Sequence, residues 1–315
     1  IKRGRRYDAI ISDIEIGAVD LVSIGAGASL GQKAKLDNAR VEGAEFIVGS
    51  IHIGKDAYIG SSCVLEENVV VGEGAELRDL TSLPAGSQAR PWEIWDGSPG
   101  HPVGEVDRSS LPETAQASGA RRFANGSIYA LMLLILPPLG LLPIFPAFWV
   151  FDRIDEWLGL GELDRLAYLA SLPVMAWPTS FVMVLITVGF IAAIRWSVLP
   201  VVRDGSYSIH SPFYVRKWTV ALAVEITLET LSSLYATIYM RAWYRLMGAK
   251  IGKDAEISTN LAGRYDLVEI GEKCFIADEV VLGDEDIRRG YMKLEHVRTG
   301  ARVFVGNDGV VPPGA

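Results

Sequence analysis

The chain is short of cysteine: Cys63 and Cys274 are the only two in 315 residues. That excludes a disulfide-stapled secreted scaffold, and two thiols far apart inside apolar repeats read as buried and reduced. Histidine is nearly as scarce, with only His52, His101, His210 and His296. No two of these stand at a ligand-like spacing, so no metal site is expected. Basic charge is also in deficit: 30 Lys and Arg face 38 Asp and Glu, for a net charge of −8. Without a basic stripe, a nucleic-acid surface is excluded. The opening IKRGRRYD is basic, but no apolar run of the needed length follows it, so no secretory signal is expected there. The chain opens at Ile1 and stops at Pro312-Pro313-Gly314-Ala315 within a repeat, which predicts one stretch of a longer protein.

What the sequence has in quantity is order at a period of six. In IVGSIHIGKDAYIGSSCVLEENVVVGEGAEL, Ile53, Ile59, Leu65, Val71 and Leu77 recur every six residues, and Gly54, Gly60 and Gly72 follow three of them. Neither a helix nor a simple strand has that period. A chain wound into triangular coils of short parallel strands does, with each sixth side chain pointing into the prism. This is the hexapeptide pattern of left-handed parallel β-helices. Ile16, Ile24, Leu30 and Leu36 lead into the block, Asp37 to Ser50 breaks its phase as a protruding loop, and Pro84, Pro91, Pro99 and Pro102 mark its end. The first β-helix is assigned to 1–104, and the polar stretch 105–122 to a linker.

Long apolar runs come next, and mean hydropathy over the whole chain is positive, at +0.24. Ile128 to Phe151 and Ala167 to Ile194 are each long enough to span a bilayer, although Pro137, Pro138, Pro143, Pro146, Pro173 and Pro178 forbid straight helices. The segment between them is acidic, while Arg121, Arg122, Arg195 and Arg203 lie on the outer flanks. The positive-inside rule then predicts a transmembrane hairpin over 123–200, with both flanks and the β-helices on the cytoplasmic side of a cell membrane. Residues 201–249 read as a loop and one long interfacial helix, Phe213 to Met247, with Glu225 and Glu229 on one face.

From Lys250 the period of six returns, and it aligns with the first block at one offset. Asp20-Leu21-Val22-Ser23-Ile24-Gly25 recurs as Asp266-Leu267-Val268-Glu269-Ile270-Gly271, 246 positions on, and Ile59-Gly60 recurs as Val305-Gly306. The fold class expected is therefore mainly β with membrane α: two left-handed parallel β-helix domains, the second (250–315) truncated, separated by a transmembrane helical hairpin.

Adjacent prisms leave a straight groove in which a pantetheine arm can lie, bonded by coil backbone. The groove positions singled out are Gly60 and Ser61 in the first copy and Gly306 and Asn307 in the second. The run closed by Gly97-Ser98-Pro99 resembles hexapeptide-repeat acyltransferases, which use a histidine as general base. His210, in SYSIHSPFY, and His52, at a coil start, are the candidates. Arg298 replaces His52 in the second copy, so the copies cannot share that chemistry. His101, in the proline-rich tail, reads as structural. Asp20 and Asp266 repeat between copies as turn caps or substrate-ammonium contacts.

The pieces DLVSIGAGASL, IHIGKDAYIGSSCVLEENVVVGEGAELRDLTSLPAG, WDGSPG, YSIHSPFYVRKW, LVEIGEKCFIADEVVLGD and FVGNDGVVPPG together resemble the membrane-bound C-terminal region of ε-poly-L-lysine synthetase-type amino-acid homopolymer synthetases, relatives of nonribosomal peptide synthetases. The resemblance implies upstream adenylation and carrier domains, a 4'-phosphopantetheine thioester presented by that carrier, a third tandem domain, and peptide-bond formation from aminoacyl thioesters. Two alternatives stay open: acyl transfer from coenzyme A at the membrane, and a non-catalytic scaffold that docks a carrier domain.

Overall fold

The computed structural model describes residues 10–11, 14–231, 237–259 and 264–315. The basic opening IKRGRRYD lies outside them. The spacing of six becomes a parallel β-helix. Leu77 pairs with Ile59 and Leu83 with Leu65, in parallel, so one circuit of the coil takes three hexapeptides. The sixth residues fill the prism: Leu30, Leu36, Ile53, Ile59, Leu65, Val71, Leu77 and Leu83 are each at most 3% exposed. No coil could bury these side chains alone, and stacking gives them one shared core. Tight corners hold several non-glycine residues at positive φ, among them Lys33 (57°), Asp56 (55°) and Ser62 (55°). The edge of the first coil stretch is closed where His101–Glu105 folds back antiparallel on Glu93–Asp96. The expected boundary at residue 104 therefore falls inside a strand.

The phase break is an antiparallel hairpin, Ala39–Glu42 against Glu45–Val48, which leaves the prism after Asp37 and rejoins it at Ile51. In the second coil stretch the strand registers repeat 246 positions on. Ser23 opposite His52 recurs as Glu269 opposite Arg298, Ser29 opposite Tyr58 as Phe275 opposite Phe304, and Lys35 opposite Val64 as Val281 opposite Val310. The corners follow the same offset: Lys33, Asp56 and Ser62 have positive-φ counterparts at Glu279, Arg302 and Asp308. The hairpin recurs as Asp286–Arg288 against Tyr291–Leu294, but here it gains a third strand, Gly205–Ser208.

Where the sequence suggested a hairpin of two helices over 123–200, the described residues form three. Helix α1 (Gly119–Gly140) begins where Ser118 accepts the Arg121 N–H, and it carries Pro137 and Pro138 near its end. Helix α2 (Ile144–Leu158) is stopped by Gly159 in the left-handed conformation. Helix α3 (Arg165–Val198) is capped by Asp164, which accepts the Leu166 and Ala167 N–H groups at 2.9 Å. The proline-rich run thus breaks the first arm of the expected hairpin into α1 and α2. Gly119–Leu158 and Arg165–Val198 are long and apolar enough to cross a membrane, and Leu134, Phe145, Trp149, Trp157 and Trp177 on them are exposed.

The single helix expected over Phe213 to Met247 is instead two, α4 (Pro212–Leu231) and α5 (Met240–Met247), with a turn entering α5. Helix α4 packs against α1 and α3, with Glu225 exposed; the Glu229 side chain lies outside the described set.

Buried charges pin these helices to the second coil stretch. Arg195, near the end of α3 and wholly buried, donates to Asp266 and to the carbonyls of Leu199 (2.8 Å) and Met247 (3.2 Å). Asp266 also accepts the Val202 N–H at 2.8 Å. Lys217 of α4 pairs with Glu285 at the root of the second hairpin. A charge taken from water needs such a full set of partners to stay ionised.

Candidate active site

The second hairpin lies against the coils of the first stretch, and a small cleft opens at that junction. Its coil wall is Gly27, Ser29, Asp56, Tyr58, Gly74 and Glu76; its other walls are Arg288 and Arg289 of the hairpin tip and Val106 and Leu111 of the supposed linker. The linker is therefore packed rather than free: the Ala115 N–H donates to the Arg289 carbonyl at 2.8 Å.

Arg288 dominates the electrostatics. Its Nη1 reaches Glu76 at 2.6 Å, its Nε reaches Asp286 at 2.8 Å, and the guanidinium lies 4.3 Å over the Tyr58 ring. Burial works against its charge, but hydrogen bonds and attraction from Glu76 and Asp286 outweigh that, so its pKa is raised further. The Tyr58 phenol is pushed up by burial first and then by Asp286 and Asp79, which keeps it a neutral hydrogen-bond donor. Asp79 is raised too, chiefly by burial, although its Oδ1 accepts the Ser61 N–H at 2.8 Å.

The groove positions expected from sequence fare differently in the two stretches. Gly60 and Ser61 are buried, and Asp284 of the second stretch accepts both the Ser61 hydroxyl and the Gln32 N–H (3.2 Å). An arm cannot lie on Ser61 while Asp284 holds it. The counterparts remain open, with Gly306 half-buried and Asn307 exposed.

The histidines and aspartates also separate. His52 is exposed on the coil's outer face, with Nδ1 2.8 Å from the Ser23 hydroxyl. At the matching positions of the second stretch, Arg298 faces Glu269 at 3.6 Å. His210 lies in the turn between strand Gly205–Ser208 and α4, where the adjacent Ile209 N–H donates to the Gly290 carbonyl at 3.0 Å, at the tip of the pocket's hairpin. His101 is an exposed strand residue. Asp20 is exposed, whereas Asp266 is committed to Arg195 and Val202, so the two do not share a role. Among the described residues no cluster suited to a metal ion is found.

Sequence reasoning missed one arrangement that an acid–base reading would seek, a histidine oriented by a carboxylate. His296 Nδ1 stands 2.6 Å from Asp204. The two are far apart in sequence and meet only because strand Gly205–Ser208 joins the second hairpin. It also missed Arg288 and Tyr58, whose association depends on the same docking.

No family model matches the chain. The δ-poly-L-ornithine synthetase of Acinetobacter baumannii (strain AB307-0294) is 38% identical over 310 residues, covering 98% of this chain and 23% of that protein. The chain thus spans about a quarter of the length of the curated relative it matches. Among solved structures, a hexapeptide-repeat acetyltransferase from Vibrio cholerae overlaps 30% of this chain and 57% of its own, at 16% identity and a TM-score of 0.28. An N-acyltransferase from Bacillus cereus, solved with coenzyme A and dTDP-4-amino-4,6-dideoxyglucose, overlaps 32% and 65% at 19% identity and a TM-score of 0.26. Over 98% of its length, the chain is a relative of one region of a poly-amino-acid synthetase.

Proposed function

We propose that this chain is the bond-forming part of a membrane-bound amino-acid polymerase, joining carrier-bound aminoacyl thioesters to a free amine. The observation that carries this reading is the 38% identity to δ-poly-L-ornithine synthetase across 310 residues. In the proposed step the amine nitrogen attacks the thioester carbonyl carbon, the amide C–N bond forms and the C–S bond breaks. The proton shed by the amine passes through a base to the departing thiolate, so the products are an amide and a thiol.

In this reading the reaction takes place in the junction pocket. The neutral Tyr58 phenol and the Arg288 guanidinium supply donors to the carbonyl oxygen as charge develops on it. His210 is assigned as base ahead of His52, because its turn adjoins the hairpin tip that walls the pocket. The 4'-phosphopantetheine arm approaches along the open Gly306–Asn307 side. The coils wind left-handed, the helical segments span the bilayer with the coil stretches on the cytoplasmic side, and the repeat at 246 marks two tandem domains. Adenylation and carrier domains and a third tandem domain complete the parent protein.

The test uses the full natural protein in detergent, supplied with ATP and each amino acid in turn, with products read by mass spectrometry. A ladder spaced by one amino-acid residue is the expected result. Arg288→Ala and His210→Ala should each slow its growth by about 100-fold, and His52→Ala should not. An absent ladder together with a single acylated acceptor on addition of an acyl-CoA would overturn the polymerase in favour of a CoA-dependent acyltransferase. An intact ladder in both variants, lost only when a coil is deleted, would reduce the chain to a scaffold.

A further inference from the structure

Arg289 holds a conformation that its residue type resists. With Gly290 it forms the two-residue turn of the second hairpin, at φ 49° and 80°. The first position of such a turn favours glycine, asparagine or aspartate. The matching position of the first hairpin is Gly43, at φ 61°. An arginine kept there against that preference directs attention to its side chain. That side chain lines the cleft, its guanidinium carbon lies 5.8 Å from the Trp92 ring centroid, and its buried Nε has no hydrogen-bond partner. Its Nη1 makes only a long contact, 3.4 Å, to the Pro112 carbonyl. Arg108 brings a second guanidinium to the same indole, at 4.5 Å. Gly74 makes room for that indole, since a Cβ there would crowd the Trp92 ring. The nearby carboxylates are committed elsewhere. Glu76 and Asp286 hold Arg288, Asp107 accepts the Ser109 N–H and hydroxyl, and Lys55 stands 3.5 Å from Asp56. Among the described residues, neither Arg108 nor Arg289 is paired with a carboxylate. Two stacked cations, one with a buried and unmatched N–H, make a place for an anion, and their planar forks fit a carboxylate.

We propose that Arg289 and Arg108 bind the carboxylate of a free amino acid, the acceptor in the first bond-forming step, and so make the cleft a starting site for the polymer. This rests on the aminoacyl transfer proposed for the same cleft. In that transfer the acceptor amine attacks the thioester carbonyl, C–N forms, C–S breaks, and the amine's proton ends on the departing thiolate. The acceptor's carboxylate takes no part and stays on the first residue. Each later residue is added at the amine end, so the carboxylate moves one residue farther from the reacting nitrogen at every step. A carboxylate site at a fixed distance from the reaction therefore serves the first condensation and not the later ones.

Phenylglyoxal, which adds to unpaired guanidinium groups, tests this on the full natural protein in detergent. Labelling of Arg289 and Arg108 is followed by peptide mass spectrometry, without ATP, while free amino acids are offered one at a time. The carboxamide of any that protects is offered next. One free amino acid near saturation should slow labelling of both residues by about 10-fold, and its carboxamide should not. Equal protection by acid and carboxamide, or protection by no amino acid, would overturn the proposal. So would protection by inorganic phosphate or pantetheine 4'-phosphate alone, which would make this a phosphate site. With ATP present, Arg289→Gln should slow the first condensation about 100-fold more than it slows extension of a supplied dimer of the amino acid. Arg289→Lys, which keeps the charge but not the fork, should recover part of that difference. Equal slowing of both steps would also count against the starting site. Labelling needs no turnover, so the carboxylate site can fail where a ladder grows and hold where none does.

Discussion

Arg195 ties helix α3 to the second coil stretch through Asp266. Its charge is wholly buried and matched by Asp266 and two carbonyls. Arg195→Met should therefore leave Asp266 as a buried carboxylate without its cation and cost about 3–5 kcal/mol, whereas Arg195→Met with Asp266→Leu should recover much of that. Thermal unfolding of the three proteins in one detergent measures the difference. Glu285 gives a pH signature. Burial pulls its pKa up, but Lys217 and Arg264 outweigh burial, so its folded-state pKa is depressed. A depressed carboxylate contributes stability above its unfolded pKa and loses it as pH falls through that range, near about 4.3 for a free glutamate, down to the folded value. The melting temperature should accordingly drop more steeply below about pH 5 in the natural protein than in Glu285→Gln. The Cys63 thiol is pushed up to about 12, first by burial. A maleimide should leave it unmodified in the folded protein and label it on unfolding, since the thiolate is the reactive form.

At the scale of elements, the junction is held by long-range pairs: Lys33 with Glu279 at 2.7 Å, Arg288 with Glu76 at 2.6 Å, and Ser61 with Asp284. Asp284 is the counterpart of Asn38, which stays inside its own stretch, clamping Ala18 and Gly49. Asp284→Asn should thus loosen the junction more than it disturbs the second stretch, and limited proteolysis near residues 106–115 should detect it. The coils were legible because every sixth side chain faces one core, a rule that holds locally along the chain. The hairpin was legible only as lost phase. Strand Gly205–Ser208 was not, because four residues of GSYS carry no apolar alternation and owe their conformation to a partner far along the chain. The end of α4 at Leu231 was not legible either, because the apolar pattern gives no stop signal of its own before α5. The site suffered most. Tyr58, Glu76 and Arg288 come from two stretches that meet only in the folded molecule.

At the scale of the whole molecule, one sequence pattern laid down twice yields two unequal halves. The first stretch has its coil face covered and its hairpin bare; the second has its hairpin covered and its Phe275–Phe304 stack exposed, the rings 5.5 Å apart. A duplicated unit need not duplicate a site, because each half meets a different neighbour. The repeated left-handed corners carry a practical consequence as well. Gly27 occupies one corner of the first stretch at φ 74°, and Lys273 holds the matching corner of the second at 55°. A side chain in that conformation costs about 1–2 kcal/mol, against roughly 0.5–1 for glycine's extra freedom when unfolded. Lys273→Gly should raise the melting temperature slightly. Gly27→Ala should lower it, since φ 74° strains any L side chain and the new Cβ would crowd the Asp56 carboxylate. Each such corner is a separate thermostability setting, and an engineer could toughen this scaffold one turn at a time without touching its core or its junction.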